Sequence, residues 1–381
     1  MRISLRLPLD LHSLSRASAV CKPWRGIVVD HKFVHRFYAR HRKPPLLGFF
    51  QHGDHEIRFT PVCLPPAPDR ILPGSYSLGQ RYSNSEVREV LDSRRVLLTS
   101  WVIIDGWVRE EVVVYDPITS KQQHRVSIPL GFRRIGGLVN GAVFCAAAAR
   151  DHVHDNRRSC PFKVVLLSHR KCKHPYACVY SSETDTWSNI ISTEAPDDTP
   201  FGVSPSTLIG NALYWPAKHK GDSILQFDLG TQNLAVIKGP PGMNMDDFDN
   251  FHIIQAEDGA VGLAALSHIE LQMWERKVDC PGVAIWLLQK TVSLSKLLKV
   301  PPRTEQSYES LKVVGYDEDN NVILLARHDG VYMVQPKLLQ ARKLNGTGST
   351  HYCYTFTSFY PLGRTIDGGT NGADNVRMTL A

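Results

Sequence analysis

Cys160, His169, Cys172, His174 and Cys178 bring together the thiol and imidazole donors from which a tetrahedral zinc site draws four ligands. Their spacing contradicts that chemistry. The group contains no Cys-x-x-Cys pair, and residues 177–180 read as a strand that turns Cys178 inward, so ordinary loop and core roles are expected. His152 and His154 share the same basic stretch and add no ligand pattern. Asp246, Asp247 and Asp249 offer the carboxylate oxygens a hard cation needs, but they lack the glycine and distal glutamate of a calcium loop, and a solvated acidic loop is expected. A glycine-rich phosphate loop, a Gly-x-Ser-x-Gly elbow and a His-Glu-x-x-His helix are all absent from the sequence. Nucleotide transfer, acyl transfer and metalloprotease chemistry therefore have no anchor, and no catalytic residue, metal ligand or cofactor is assigned. Trp101, Trp107, Trp187, Trp215, Trp274 and Trp286 suit a binding face, because tryptophan dominates interface hot spots, yet packing inside the fold is the stronger expectation for each.

The elements that would carry such residues belong to a folded, soluble chain. Its 381 residues exceed the usual single-domain size, and 43% hydrophobic with 21% charged residues is an ordinary globular composition. No apolar run approaches the roughly 20 residues that span a bilayer, and the start lacks a signal peptide's continuous apolar stretch. Eight cysteines are scattered without a compact framework, which fits reduced thiols in the cytosol or nucleus and no disulfides. The net charge of +7 is wholly N-terminal. Residues 1–43 hold ten Lys or Arg against two Asp, which leaves 34 basic and 35 acidic residues for the rest. Such a segment suits an acidic protein, a phosphate or plain solvent, and a nucleic-acid partner is not favoured.

Leu11, Leu14, Ser18 and Cys21 recur at helical steps, with Ala17 and Val20 beside them, and predict a helix ending near Cys21. Pro23 suits the first turn of a second helix carrying Trp24, Ile27 and Val28. Asp30 then breaks toward a third element with Phe33 and Phe37. Three short helices have little core of their own, so such a unit normally docks on something larger.

Arg16-Ala17-Ser18, Val20-Cys21-Lys22, Trp24-Arg25, Asp30, Phe33 and the trailing run 44–50 appear in an order that resembles the F-box of grass proteins. The resemblance implies that Leu7, Pro8, Leu14, Val20, Cys21 and Trp24 lie in or beside a mainly apolar surface gripping the Skp-type adaptor of an SCF ubiquitin ligase, with Lys22 and Arg25 at its polar rim. Leu14, Val20 and Trp24 can equally form the internal core of the three helices. The family's first helix normally opens Leu-Pro-x-x-Leu-Leu, and this chain starts in what would be its last turn. The F-box, 1–45, is therefore expected to be partial.

Beyond a proline-rich stretch at 61–73, a mainly β body follows. Strands are predicted at 96–105, 111–115, 142–147, 164–167, 177–180, 212–215, 224–227, 284–288, 322–325 and 331–334. Two internal similarities suggest repetition: 138–144 against 208–214, and 114–119 against 179–184 and 226–231. The runs 177–190 and 223–237 look like outer hairpins of a propeller blade. The body resembles the F-box-associated, kelch-like β-propeller of plants. It is assigned to 90–363 with about six blades at ~40 to 50 residues each, after a linker and lead-in at 46–89 and before a flexible tail at 364–381. A sandwich or a pair of β-domains is the alternative fold.

The function this implies is substrate recognition in protein ubiquitination. The helices would bind the Skp-type adaptor and through it a cullin scaffold, and loops on one propeller face would hold a target protein, with no role in catalysis and no membrane contact. An interaction propeller without ligase function is the alternative, and an enzymatic propeller a third.

Overall fold

The computed structural model describes residues 17, 20–41, 43–52, 57–62, 85–94, 96–104, 107–116, 121–135, 138–146, 161–169, 174–195, 201, 204–217, 223–241, 251–278, 283–298, 311–344 and 352–358. They belong to two compact units. One comprises Met1–Pro45, Val153–Asp155 and Ser358–Ala381, the other Leu46–His152 and Asn156–Thr357. No described helix is long and apolar enough to cross a membrane.

In the smaller unit, α1 (Lys22–Val29) begins with proline in its first turn, where the missing N–H breaks no helical bond. Asp30 ends it and caps α2 (His31–His41), its carboxylate accepting the Lys32 N–H at 3.1 Å. Phe33, Phe37 and His41 stack along one face of α2, with ring centroids 6.0 and 4.4 Å apart at successive four-residue steps. Phe33, Phe37 and Val28 are buried. Of the first predicted helix only Ala17, Val20 and Cys21 are described; the first two are helical and Cys21 is extended.

The larger unit is mainly β, a ring of six antiparallel sheets among the described residues, which makes it a six-bladed propeller. The first sheet joins β1 (Leu46–His52) and β2 (Ile57–Pro61) to β24 (Cys353–Thr357) in the order β2-β1-β24. The second runs β3 (Ser85–Asp92), β4 (Val96–Ile104), β5 (Trp107–Asp116), β6 (Lys121–Ser127). The third has β7 (Leu138–Cys145), β8 (Phe162–His169), β9 (Pro175–Ser181), with β10 (Thr186–Trp187) and β11 (Ile191–Ser192) both on β9. The fourth is β12 (Thr207–Ile209), β13 (Ala212–Pro216), β14 (Ser223–Asp228), β15 (Asn233–Lys238). The fifth is β16 (Phe251–Gln255), β17 (Val261–Ser267), β18 (Glu270–Val278), β19 (Ala284–Ser293). The sixth is β20 (Lys312–Asp317), β21 (Val322–Arg327), β22 (Gly330–Gln335), β23 (Gln340–Leu344). Short helices α3 (Leu130–Ile135) and α4 (Leu294–Leu297) follow the second and fifth sheets.

The ring shape follows from how the strands bury their side chains. The cores lie between neighbouring sheets rather than inside one: Leu97, Val114 and Leu166 pack the second on the third, Val165, Trp215 and Phe227 the third on the fourth, and Leu271, Ile323 and Val334 the fifth on the sixth. Middle strands covered on both faces read as unbroken apolar runs, as in the fully buried Val322–Ala326. All ten predicted strand segments fall on β4, β5, β7, β8, β9, β13, β14, β19, β21 and β22.

Two sequence expectations change. The stretch 46–89, expected as linker and lead-in to the propeller, holds β1, β2 and the start of β3, and the larger unit begins at Leu46. The closing sheet needs it. β1 pairs with β24, Phe50 opposite Tyr354, so strands from opposite ends of the unit share one sheet and the ring has no free seam. Phe50, Phe59 and Phe356 pack with centroids 5.0 to 6.3 Å apart, and a Cβ at Gly48 would stand 2.3 Å from Thr60 O, an approach only glycine permits. The similarity of 138–144 to 208–214 is also not structural equivalence: the first lies within β7, while the second turns from β12 to β13 at Gly210, φ +61°. The other similarity does repeat in space. The described part of 114–119 ends the third strand of its sheet, and 179–184 and 226–231 leave the third strands of theirs toward the fourth. In the last of these Asp228 accepts the Gly230 and Thr231 N–H groups at 3.0 and 2.7 Å. The tail 364–381 lies outside the described residues.

Candidate functional site

The inner strand of each sheet is β24 in the first and β3, β7, β12, β16 and β20 in the others, and each junction between neighbouring sheets carries a hydrogen bond. Val90 N–H donates to His52 Nε2 at 3.4 Å, Val143 N–H to Asp92 Oδ2 at 2.9 Å, and Asn140 Nδ2 to Ser204 O at 2.8 Å. Thr207 Oγ1 donates to Ile253 O at 2.9 Å, Gln255 N–H to the Tyr316 hydroxyl at 3.1 Å, and Thr355 Oγ1 to Tyr316 O at 3.0 Å. These are polar groups that inner strands cannot satisfy within their own sheet.

Between the inner strands a cavity of about 50 Å³, room for one or two waters, is lined by Asp92, Arg94, Ser206, His252, Asp317, Glu318 and Thr355 among others. Arg94 spans it. Its Nη1 donates to Asp92 Oδ2 at 2.5 Å and to Ser206 Oγ at 3.1 Å; its Nη2 donates to Ser206 O at 3.0 Å and to Glu318 Oε1. One guanidinium thereby ties the second, fourth and sixth sheets, alternate members of the ring. Burial works against its charge, but the Asp92 and Glu318 carboxylates beside it hold its pKa above the ordinary value. Burial raises the Glu318 carboxyl against the pull of Arg94, and it pushes the nearly inaccessible Asp317 up to about 7. His252 Nδ1 lies 2.9 Å from Ile253 O and so carries the ring proton, while Nε2 remains a buried acceptor without a partner. Burial lowers the pKa of this histidine.

This cavity offers carboxyl groups and a buried imidazole acceptor rather than an activated nucleophile. Asp92, Asp317, Glu318 and Asp319 line it with Arg94, and burial raises the pKa of the Cys353 thiol and the Tyr316 phenol nearby. Cys178, of the zinc candidates, is buried in β9, where its pKa rises to about 12; Cys160 and Cys172 lie outside the described residues. Among the described residues no group of three or more His, Cys, Asp or Glu could hold a metal. Asp246, Asp247 and Asp249 also lie outside them. Trp215 is fully buried, Trp187 packs on Tyr180 at 5.3 Å, and Trp274 and Trp286 are partly buried between the fourth and fifth sheets. The axial set escaped sequence inspection because Asp92, Arg94 and 317–319 look like ordinary strand-end turns. The one signal was charge concentrated at the ends of two strands.

Of the residues the F-box resemblance singled out, Leu7, Pro8 and Leu14 fall outside the described residues. Val20 is 69% exposed, Cys21, Lys22 and Arg25 are exposed, and Trp24 is half-buried on α1. The exposure of Val20 removes it from any described core.

F-box protein At5g07610 of Arabidopsis thaliana is 22% identical over 250 residues, which are 63% of this chain and 56% of that protein. The chain thus spans little more than half of that relative's length. Among solved structures, the periplasmic gluconolactonase PpgL of Pseudomonas aeruginosa aligns at TM-score 0.38 and 13% identity, over 79% of this chain and 83% of its own. TolB of Acinetobacter baumannii aligns at 0.39 and 11%, over 87% and 72%. The family model described as F-box protein AT5G49610-like, beta-propeller matches residues 138–362, the third to sixth sheets and β24, and with more than half of its length matched the chain belongs to that family.

Proposed function

We propose that this protein is the substrate-recognition subunit of an SCF-type ubiquitin ligase: its N-terminal helices dock on a Skp-type adaptor, and through it a cullin scaffold, while the propeller holds a target protein. Its contribution is proximity, since bringing a target beside the ligase raises the effective concentration of its lysines without chemistry of its own. Membership of the F-box propeller family supports this reading, and the exposed run Val20-Cys21-Lys22 with Arg25 carries it, because these are surface groups where the resemblance requires a docking edge. An apolar patch with an aromatic anchor and a basic rim is the usual composition of such an interface. An assembly of this kind works in the cytosol or nucleus.

The test is co-purification of the full chain with a Skp-type adaptor. Trp24→Ala and Val20→Asp are expected to weaken the complex, the former by about 2 kcal/mol or more if Trp24 is an anchor. A folded chain that captures no adaptor would leave an interaction propeller without ligase function.

A further inference from the structure

The outer strands of the six sheets are not alike. β2 ends in Pro61, β6 carries Lys121 and Arg125, β15 is only six residues long and ends in Lys238, β23 carries Arg342 and Lys343, and β10 and β11 are two residues each. Proline, charge and shortness are the usual means of blunting an edge that would otherwise pair with another chain. β19 lacks them. It runs 10 residues without proline and with Lys290 as its one charge. Ile285, Leu287 and Leu288, with Val278 and Val283 of the same hairpin, are 39% to 63% exposed and make up half of the large apolar side chains exposed among the described residues.

The register puts this apolar surface on both faces. Ile285 and Leu287 stand opposite Lys277 and Glu275, while Trp286 and Leu288 stand opposite Arg276 and Trp274 on the other face. Trp286 is fixed from the side by its Nε1–H on Lys238 O at 2.9 Å. Among the described residues no strand pairs with the outer side of β19. Lys238, Arg276, Lys277 and Lys290 border it and outnumber the carboxylates, which are Glu275, 3.4 Å from Lys277 Nζ and hydrogen-bonded to Asp258, and Glu270, opposite Ser293 at the far end of β19. Arg276 Nε is buried without an acceptor.

We propose that β19 is a docking edge, beside which an extended segment of the target protein, apolar at its centre and flanked by Asp or Glu, adds as a fifth strand of that four-stranded sheet. Main-chain hydrogen bonds along β19 supply affinity, the two apolar faces select the centre of the segment, and the cations select its ends. The inference rests on the reading of the propeller as the target-holding part, and it moves recognition from the loops of one propeller face to the outer rim of one blade.

The test uses the full chain and a capped peptide with a Val-Thr-Val-Ile-Val centre and two Glu at each end. Saturable binding is expected by calorimetry, with new protection of alternate β19 amides in hydrogen exchange. Replacing the four Glu by Lys should weaken binding at least tenfold. Leu287→Asp should abolish it, and Ile285→Thr with Leu288→Thr, which keeps strand propensity, should weaken it at least tenfold if the aspartate variant does not fold. Binding without protection at β19, equal affinity for the Lys-flanked peptide, or no binding overturns the proposal. So does self-association of the chain alone that Leu287→Asp removes, which would give the edge to a second copy. Adaptor capture is measured in parallel and is expected to survive Leu287→Asp. A chain that protects β19 on peptide binding and captures no adaptor would sink the ligase reading while the docking edge stood.

Discussion

Arg94 and Glu318 meet across the axis of the ring, 224 positions apart in the chain and on sheets separated by the closing one, with Arg94 Nε donating to Glu318 Oε2 at 3.2 Å. The same carboxylate accepts the Leu208 N–H at 2.5 Å, so three alternate sheets share one ion-paired knot. Breaking a buried pair by removing one partner strands the other charge.

Arg94→Ala is expected to cost about 2 kcal/mol, less than the roughly 3–5 kcal/mol of a fully buried pair because both side chains keep about one-fifth of their surface in water. The urea midpoint checks it. Arg94→Ala combined with Glu318→Gln should lose less than Arg94→Ala alone, since the stranded charge is then gone. An unchanged midpoint in the single variant would show that the brace adds nothing.

Asp317 makes stability depend on pH. Its carboxyl titrates near pH 7 when folded, against 3.8 for an exposed aspartate. Between these values the folded chain keeps a proton that the unfolded chain has released. Stability therefore falls as pH rises from about 4 to about 7, by at most about 1.4 kcal/mol per pH unit, and this contribution levels off above that. Asp317→Asn should flatten the slope. Melting temperatures at pH 5 and pH 7.5 that differ as much in the variant as in the parent would refute the assignment.

The closing sheet should be the most sensitive part of the ring. Phe356→Ala removes one ring of the Phe50, Phe59 and Phe356 trio and is expected to cost about 3 kcal/mol or more. Gly48→Ala places a methyl against the Thr60 carbonyl and should lower the melting temperature although it adds apolar surface. Thermal unfolding of both variants beside the parent decides the matter.

The start of α2 offers a local test. Asp30→Ala deletes the carboxylate that caps the Lys32 N–H, at a cost of about 1 kcal/mol to the helix. Amide exchange in the first turn of α2 should quicken, and Asp30→Asn or Asp30→Ser should restore most of the protection.

Much of this architecture was legible locally. Nine of the ten strands predicted, from runs such as 322–325 and 331–334, are middle or inner strands, and their composition declares it; the tenth, β19, is an outer strand whose apolar residues stay partly exposed. β18 was not legible: only Leu271 and Glu275 are buried, and the charges of Glu275, Arg276 and Lys277 hide the strand in the sequence. β1 was read as a linker because its partner β24 lies about 300 residues on, and no local pattern reports a pairing at that distance. The match between 138–144 and 208–214 failed for a related reason. Asn-Gly in one and Gly-Asn in the other look alike, but Gly210 takes a positive φ and makes a turn while Asn140 and Gly141 stay extended in β7.

By itself, then, the sequence determined the material of the fold: helices at 22–41 punctuated by Pro23 and Asp30, then short apolar strands whose third-to-fourth turns repeat. Local propensity and burial pattern suffice for that, because each is set by neighbours within a few residues. Which edges meet was decided only by tertiary structure. The closure of β1 on β24, the knot of Arg94 with Glu318 and the exposed apolar edge of β19 all depend on residues from distant parts of the chain arriving side by side, or on no residue arriving at all. Whether a leucine is core or surface is a property of what packs beside it, and the ring settles that for Leu287 and Leu324 in opposite ways.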